Sequence, residues 1–149
     1  MKRYKRIGNM LYINKYNIMT DKSTLMRAFN THFFEFLDDI IAIFPENKDI
    51  SIARTSFDTI KKANPTAILK AWYQFVYMPY KDVIEGGDIN FFFDKDYRSD
   101  LSHLSNSNEI MKTIDKIREP IRSMGDSNKA HSIKYIQNLS KLSFMYSAV

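Results

Sequence analysis

Cysteine is absent from the 149 residues, which excludes disulfides, thiolate nucleophiles and Cys-based zinc sites. Glycine and proline are scarce, at four each. So little punctuation excludes a many-turned β fold and favours helices joined by short turns. No apolar run approaches the roughly 20 residues that span a bilayer. Met10-Leu11-Tyr12-Ile13 is cut off at once by Asn14-Lys15, too short for a signal-peptide core. These absences predict an intracellular, non-secreted chain that does not cross a membrane. Motif chemistry is missing too. There is no P-loop, no G-x-G-x-x-G turn, no H-E-x-x-H and no nucleophile elbow, so no catalytic role and no cofactor is assigned from sequence.

The first eighteen residues lack any acidic side chain. They carry Lys2, Arg3, Lys5, Arg6 and Lys15, while the rest of the chain holds seventeen bases against 17 acids. The net charge of +5 is therefore a property of an arm and not of the body. Such asymmetry predicts a segment that meets an anionic partner. Tyr4, Ile7, Met10, Leu11, Tyr12, Ile13, Tyr16 and Ile18 give the same arm more apolar surface than a phosphate-binding tail needs, so a protein-binding strap is preferred. Met19-Thr20-Asp21 is itself a natural start ahead of a helix, which leaves residues 1–18 open to be an upstream extension.

What is present is helical periodicity. With 44% hydrophobic residues the chain is long and apolar enough for one packed core. Phe29, Phe33, Phe36/Leu37, Ile40 and Phe44 recur at three and four residues, predicting an amphipathic helix from a cap within Asp21–Thr24 to Phe44-Pro45. A second helix follows Asn47–Asp49, with Ile50, Ala53, Phe57 and Ile60 on one face, and ends by Asn64-Pro65. A third is expected to start there, Asn64 capping and Pro65 first in the helix. Ile68, Leu69, Trp72, Phe75 and Val76 form its core face up to a break or kink at Met78-Pro79. Gly86-Gly87 marks a turn. Phe91-Phe92-Phe93 fits a short strand or a helical turn equally well. Ile110, Ile114, Ile117, Ile121 and Met124 predict a helix kinked at Pro120. A final helix carries Tyr135, Leu139, Leu142 and Tyr146, with Ile133 and Ile136 beside them. The expectation is an all-α fold. Residues 1–18 are a basic N-terminal arm, and residues 19–149 a single compact domain of about five helices ending in an αα-hairpin.

Within the neutral body, residues 82–109 are net acidic and residues 110–149 net basic. Asp88, Asp94, Asp96 and Asp100 are the nearest approach to a metal site, but the run lacks the calcium-loop glycine and closing Glu, and Lys95 and Arg98 compete for the carboxylates. No metal is assigned. His32 and Glu35, three apart, form a single copy of a motif that carboxylate-bridged metal proteins repeat, and are read as helix-surface residues. The densest aromatic stretch, Ala71 to Tyr80, sends Trp72, Phe75 and Val76 inward and leaves Tyr73, Tyr77 and Tyr80 partly outward, in the manner of a protein interface. Lys2, Arg3, Lys5, Arg6, Tyr12, Tyr73, Tyr77 and Tyr80 are therefore the candidate partner-binding residues. Alternatively Lys112, Lys116, Arg118, Arg122 and Lys134, on the last helix pair, can touch phosphates.

Phe33-Phe34-Glu35-Phe36-Leu37-Asp38-Asp39, Ala63-Asn64-Pro65, Ala71-Trp72-Tyr73 with Met78-Pro79-Tyr80, and Glu119-Pro120-Ile121-Arg122 carry a resemblance. From about Phe29 to Tyr146 the chain resembles a group of short proteins of large DNA viruses that infect algae and protists. The resemblance carries no catalytic residue over to this sequence. It implies a non-enzymatic structural or interaction protein, for instance a minor virion component bridging larger viral proteins, in the virion or the host-cell interior and open to oligomeric assembly. The alternative it leaves is a nucleic-acid-associated factor in viral replication or transcription, using the arm and the C-terminal helices.

Overall fold

The computed structural model describes residues 21–94, 115, 116, 118–120 and 122–149. The basic arm, Lys112, the isoleucines at 110, 114, 117 and 121, and the aspartates at 96 and 100 lie outside the described residues. Helix α1 is Lys22–Ile43 and α2 is Lys48–Ala63. A continuous but irregular run follows: α3 is Ala67–Trp72, Tyr73–Tyr77 is a π turn, and α4 is Met78–Gly86. Short α5, Ile89–Asp94, and long α6, Asp126–Ala148, complete the named elements. Backbone between Asp115 and Ser123 is also helical at each described position. No strand occurs among the described residues, so Phe91-Phe92-Phe93 belongs to a helix. The fold is all-α, a single compact helical arrangement.

The boundaries follow from local hydrogen-bond supply. Asp21 caps α1 by accepting the Thr24 N–H at 2.8 Å, and Asn47 caps α2 by accepting the Asp49 N–H at 2.9 Å. Each cap satisfies a donor that the first turn cannot use internally. The α2 dipole is complemented by Asp49 in its first turn and by Lys61 and Lys62 in its last. Entry to α3 differs from expectation by two residues. Asn64 is extended, as a residue before proline prefers, and its Oδ1 accepts from both the N–H and the hydroxyl of Thr66 at 3.1 and 3.0 Å. Pro65 and Thr66 thus form a turn closed by Ala67 N–H donating to the Asn64 carbonyl at 3.0 Å, and the helix begins only at Ala67.

The break at Met78-Pro79 is a kink, and the helix continues through it. Proline offers no N–H, and its ring clashes with the carbonyl four residues back. The turn before it widens, with Met78 N–H reaching Tyr73 O, and Tyr80 takes the non-helical angles φ −127°, ψ 23°. The chain then stops at Gly87, which adopts φ 74°. Asp88 N–H donates to Val83 O and Gly87 N–H to Ile84 O, the paired bonds of a Schellman close that favour glycine in the left-handed region.

The core is built on α1 and α6, the most extensive helix pair, with α2, α3, the π turn and α4 packed around them. Leu25, Phe29, Phe33, Leu37 and Ile40 of α1 meet Ile136, Leu139, Leu142 and Met145 of α6. Ile50 and Ala53 of α2, Leu69 of α3 and Ile84 of α4 close the sides. Phe57 is half-buried and Ile60 exposed, so the α2 stripe reaches the core only in its first half. Trp72 is half-buried. Its edge meets Phe29 and Phe33 with centroids 6.2 and 6.4 Å away, and its indole N–H donates to Ser140 Oγ at 2.9 Å. Ser132, Ser140 and Ser143 are buried on the inner face of α6. Ser132 and Ser143 each donate to a carbonyl of their own helix, so these positions bury a small side chain without an unsatisfied hydroxyl.

Candidate interaction surface

The π turn decides how the aromatic stretch is displayed. Tyr73 and Tyr77 stack on each other, with centroids 5.8 Å apart and planes 21° from parallel. Phe144 of α6 lies 5.7 Å from Tyr77. Phe144 is 48% exposed and Met78 46% exposed, the largest exposures of big apolar side chains on this face. Beside them runs a mainly apolar groove of about 450 Å³ between the α3–π–α4 run and α6, lined by Leu69, Lys70, Tyr73, Gln74, Met78, Ser143, Tyr146 and Ser147. Two faces of different origin therefore meet: tyrosines from the π turn and Phe144 with Tyr146 from α6.

Aromatic side chains give large contact area at small loss of rotamer freedom, and tyrosine keeps a hydroxyl for the wet rim. Of the other polar residues in the lining, Lys70, Gln74, Ser143 and Ser147, only Ser143 is buried, and its hydroxyl donates to Ser140 O at 2.8 Å. Such a mainly apolar lining suits an apolar side chain or helix face. Lys22, at the start of α1, lies with its ammonium 4.7 Å from the centroid of Tyr146. The first described turn of the chain thus sits at the rim of the groove.

The sequence-predicted residues divide on this geometry. Tyr73 and Tyr77 are half-buried, Tyr73 lining the groove and Tyr77 stacked on it. Tyr80 turns toward the core, packing 5.1 Å from Phe91, because the kink at Pro79 rotates it away from the two other tyrosines. Phe144 and Met78 were missed. Phe144 breaks the stripe of α6, and an apolar residue out of phase with its helix was the available signal.

The basic set on the last helices is less open than the sequence suggests. Arg122 is ion-paired with Glu119 and with Asp94 at 3.5 Å, joining the acidic middle to the basic end within one molecule. Lys116 and Lys134 are exposed and Arg118 is half-exposed. Asp88 accepts the Phe91 N–H at 3.3 Å as a helix cap. Among the described residues no group of three or more His, Asp or Glu is placed to hold a metal ion. His32 lies 3.6 Å from Glu35 and packs 4.7 Å from the Tyr135 ring, while the Tyr135 hydroxyl donates to Asp39 at 2.6 Å. This is a cross-link between α1 and α6. Ser132 donates to Asn128 O beside Met124, so its hydroxyl is spent on its own helix. Among the described residues no helix is long and apolar enough to cross a membrane. No protein-family model, no curated protein and no solved structure matches this chain.

Proposed function

We propose that the chain is a non-enzymatic interaction protein whose groove between the π turn and α6 receives an apolar segment of a partner protein. The carrying observation is exposed Phe144 and Met78 with half-buried Tyr73 and Tyr77 beside a mainly apolar groove. Contiguous exposed apolar surface rimmed by polar residues marks sites of association. Lys22, its ammonium over the Tyr146 ring, adds a cation to the rim of that groove. The resemblance to proteins of large DNA viruses makes larger virion proteins the partner class, with this chain a minor bridging component.

A nucleic-acid role for the last helices is the weaker reading, since Arg122 is already held by two acids. The test is a photo-crosslinking residue at Met78, compared with one at Ile52 on α2, in assembling particles. The proposal predicts one discrete crosslinked partner from position 78 and none from position 52. Equal, diffuse labelling from both positions would refute it.

A further inference from the structure

A second concavity lies away from the aromatic groove, between α1 and the end of α2. Its volume is about 420 Å³, and it is lined by Arg27, Asn30, Thr31 and Phe34 of α1, Arg54 and Lys61 of α2, and Pro65 of the following turn. Lys62 and Asp58 also belong to the lining. Four cations from two helices thus converge on a body that is otherwise charge-neutral.

The charges do not cancel locally. Asp38 holds Arg54 through two bonds, at 2.6 and 3.3 Å. Asp58 is shared between Lys62 at 3.0 Å and Lys61 at 3.7 Å. Arg27 donates to a neutral acceptor, Ser23 Oγ, at 2.6 Å. Asp21 feels the Arg27 charge but lies outside the lining, with its carboxylate committed to the Thr24 N–H. With Asp58 the one carboxylate in the lining and Asp38 drawn in only by Arg54, the cleft keeps a net positive charge. The heads are also held in place. Lys61 Nζ and the Arg54 guanidinium lie 4.9 and 5.1 Å from the Phe34 ring centroid, a contact that attracts a cation to the ring face. Asn30 Nδ2 donates to Pro65 O at 2.9 Å, which ties the α2–α3 turn down against α1 and fixes the wall.

From this geometry we infer that the α1–α2 cleft binds a phosphomonoester dianion, with Arg27 and Lys61 as its principal contacts. A phosphomonoester carries about −1.5 to −2 charges at neutral pH and three acceptor oxygens, which suits a net positive cleft with several N–H donors. A phosphodiester backbone offers one charge per phosphate along an extended line, whereas the cations here surround a pocket. Free phosphate and a phosphorylated side chain share this chemistry.

The experiment titrates the full-length protein with an end-blocked phosphoserine tripeptide, its unphosphorylated counterpart, inorganic phosphate and a short DNA duplex, read by amide NMR shifts. The phosphopeptide and phosphate should shift residues of the cleft, and the unphosphorylated peptide should not. The tighter of the two binders identifies the source. Lys61→Gln and Arg27→Gln should each weaken binding roughly tenfold, with unchanged melting temperature, while Lys141→Gln on α6 leaves it unaltered. Phosphopeptide binding should weaken roughly tenfold between pH 7.5 and 5.0, as a second ionisation near pH 6 is reversed. Absence of shifts at 20 mM ligand would overturn the inference. So would binding by duplex alone, or binding indifferent to both cleft variants.

Discussion

Phe29 is fully buried at the crossing of α1, α3 and α6, and its loss removes ring contacts with Phe33 and Trp72 together. Phe29→Ala is expected to cost ~3–5 kcal/mol in chemical denaturation, as a large-to-small change in a packed site. A cost under ~1 kcal/mol would mean that the crossing repacks. Ser140→Ala asks a different question, since it strands the Trp72 indole N–H at a half-buried position. The expected cost is about 1 kcal/mol, with a change in tryptophan fluorescence. Phe29 was legible from its place in a three-and-four repeat. Ser140, Ser132, Ser143 and Asn30 were not, because a polar residue on an apolar face gives no periodic signal. Only the fold shows the Trp72 N–H donating to Ser140, the helix carbonyls taken by Ser132 and Ser143, and Asn30 Nδ2 donating to Pro65 O.

Two carboxylates give the residue scale a pH dependence. The Thr24 N–H holds the Asp21 carboxyl below its ordinary value of 3.8, and the Lys62 hydrogen bond does the same for Asp58. A carboxyl with a folded pKa below its unfolded one binds fewer protons when folded. Its contribution is therefore present above the unfolded value and is lost as pH falls through the folded one. Stability should decline on acidification below about pH 4, and Asp58→Asn should flatten part of that decline in melting curves at low salt. A decline of the same depth in the variant would remove Asp58 from the account.

At the scale of elements, adjacent glycines at the end of α4 should respond with opposite signs. Gly86 is helical, and a Cβ added there would meet open space, whereas Gly87 sits at φ 74°. Gly86→Ala should stabilise by ~0.5–1 kcal/mol, and Gly87→Ala should destabilise by about 1 kcal/mol. Equal effects would contradict the assigned cap. The turn itself was readable, because only one glycine pair exists. The limits of α1 and α2 were readable as well, since Asp21 and Asn47 are capping residues standing just before apolar periodicity. The start of α3 was not. A proline after Asn suits the first turn of a helix, but here the Asn64 side chain closes onto Thr66 and sets the start two residues later. The π turn was also beyond reach. A proline in the sequence announces a disruption without stating whether the helix ends or widens.

For the whole molecule, the all-α class followed from scarce glycine and proline together with five apolar stripes, and the structure bears it out. The candidate surface was half legible. Tyr73 and Tyr77 could be placed because they lie off the core face of their own helix, whereas Phe144 joins them only through a tertiary contact 67 positions along the chain from Tyr77. Charge organisation shows the same split. The acidic middle and the basic end meet through Asp94 and Arg122, but the α1–α2 cleft gathers cations from separate stretches that look balanced when read along the sequence.

The central claim is that the aromatic surface on the π turn and α6 is where a partner protein is held. Phe144→Asp tests it most directly, because Phe144 is 48% exposed and its replacement should leave the core intact, while Ile52→Asp, at a position 54% exposed on α2, controls for adding a charge elsewhere. Co-purification with assembled particles is measured for both variants after equal melting temperatures are established. Phe144→Asp should be lost from the particles at least tenfold while Ile52→Asp is retained. Retention of Phe144→Asp at the wild-type level would contradict it.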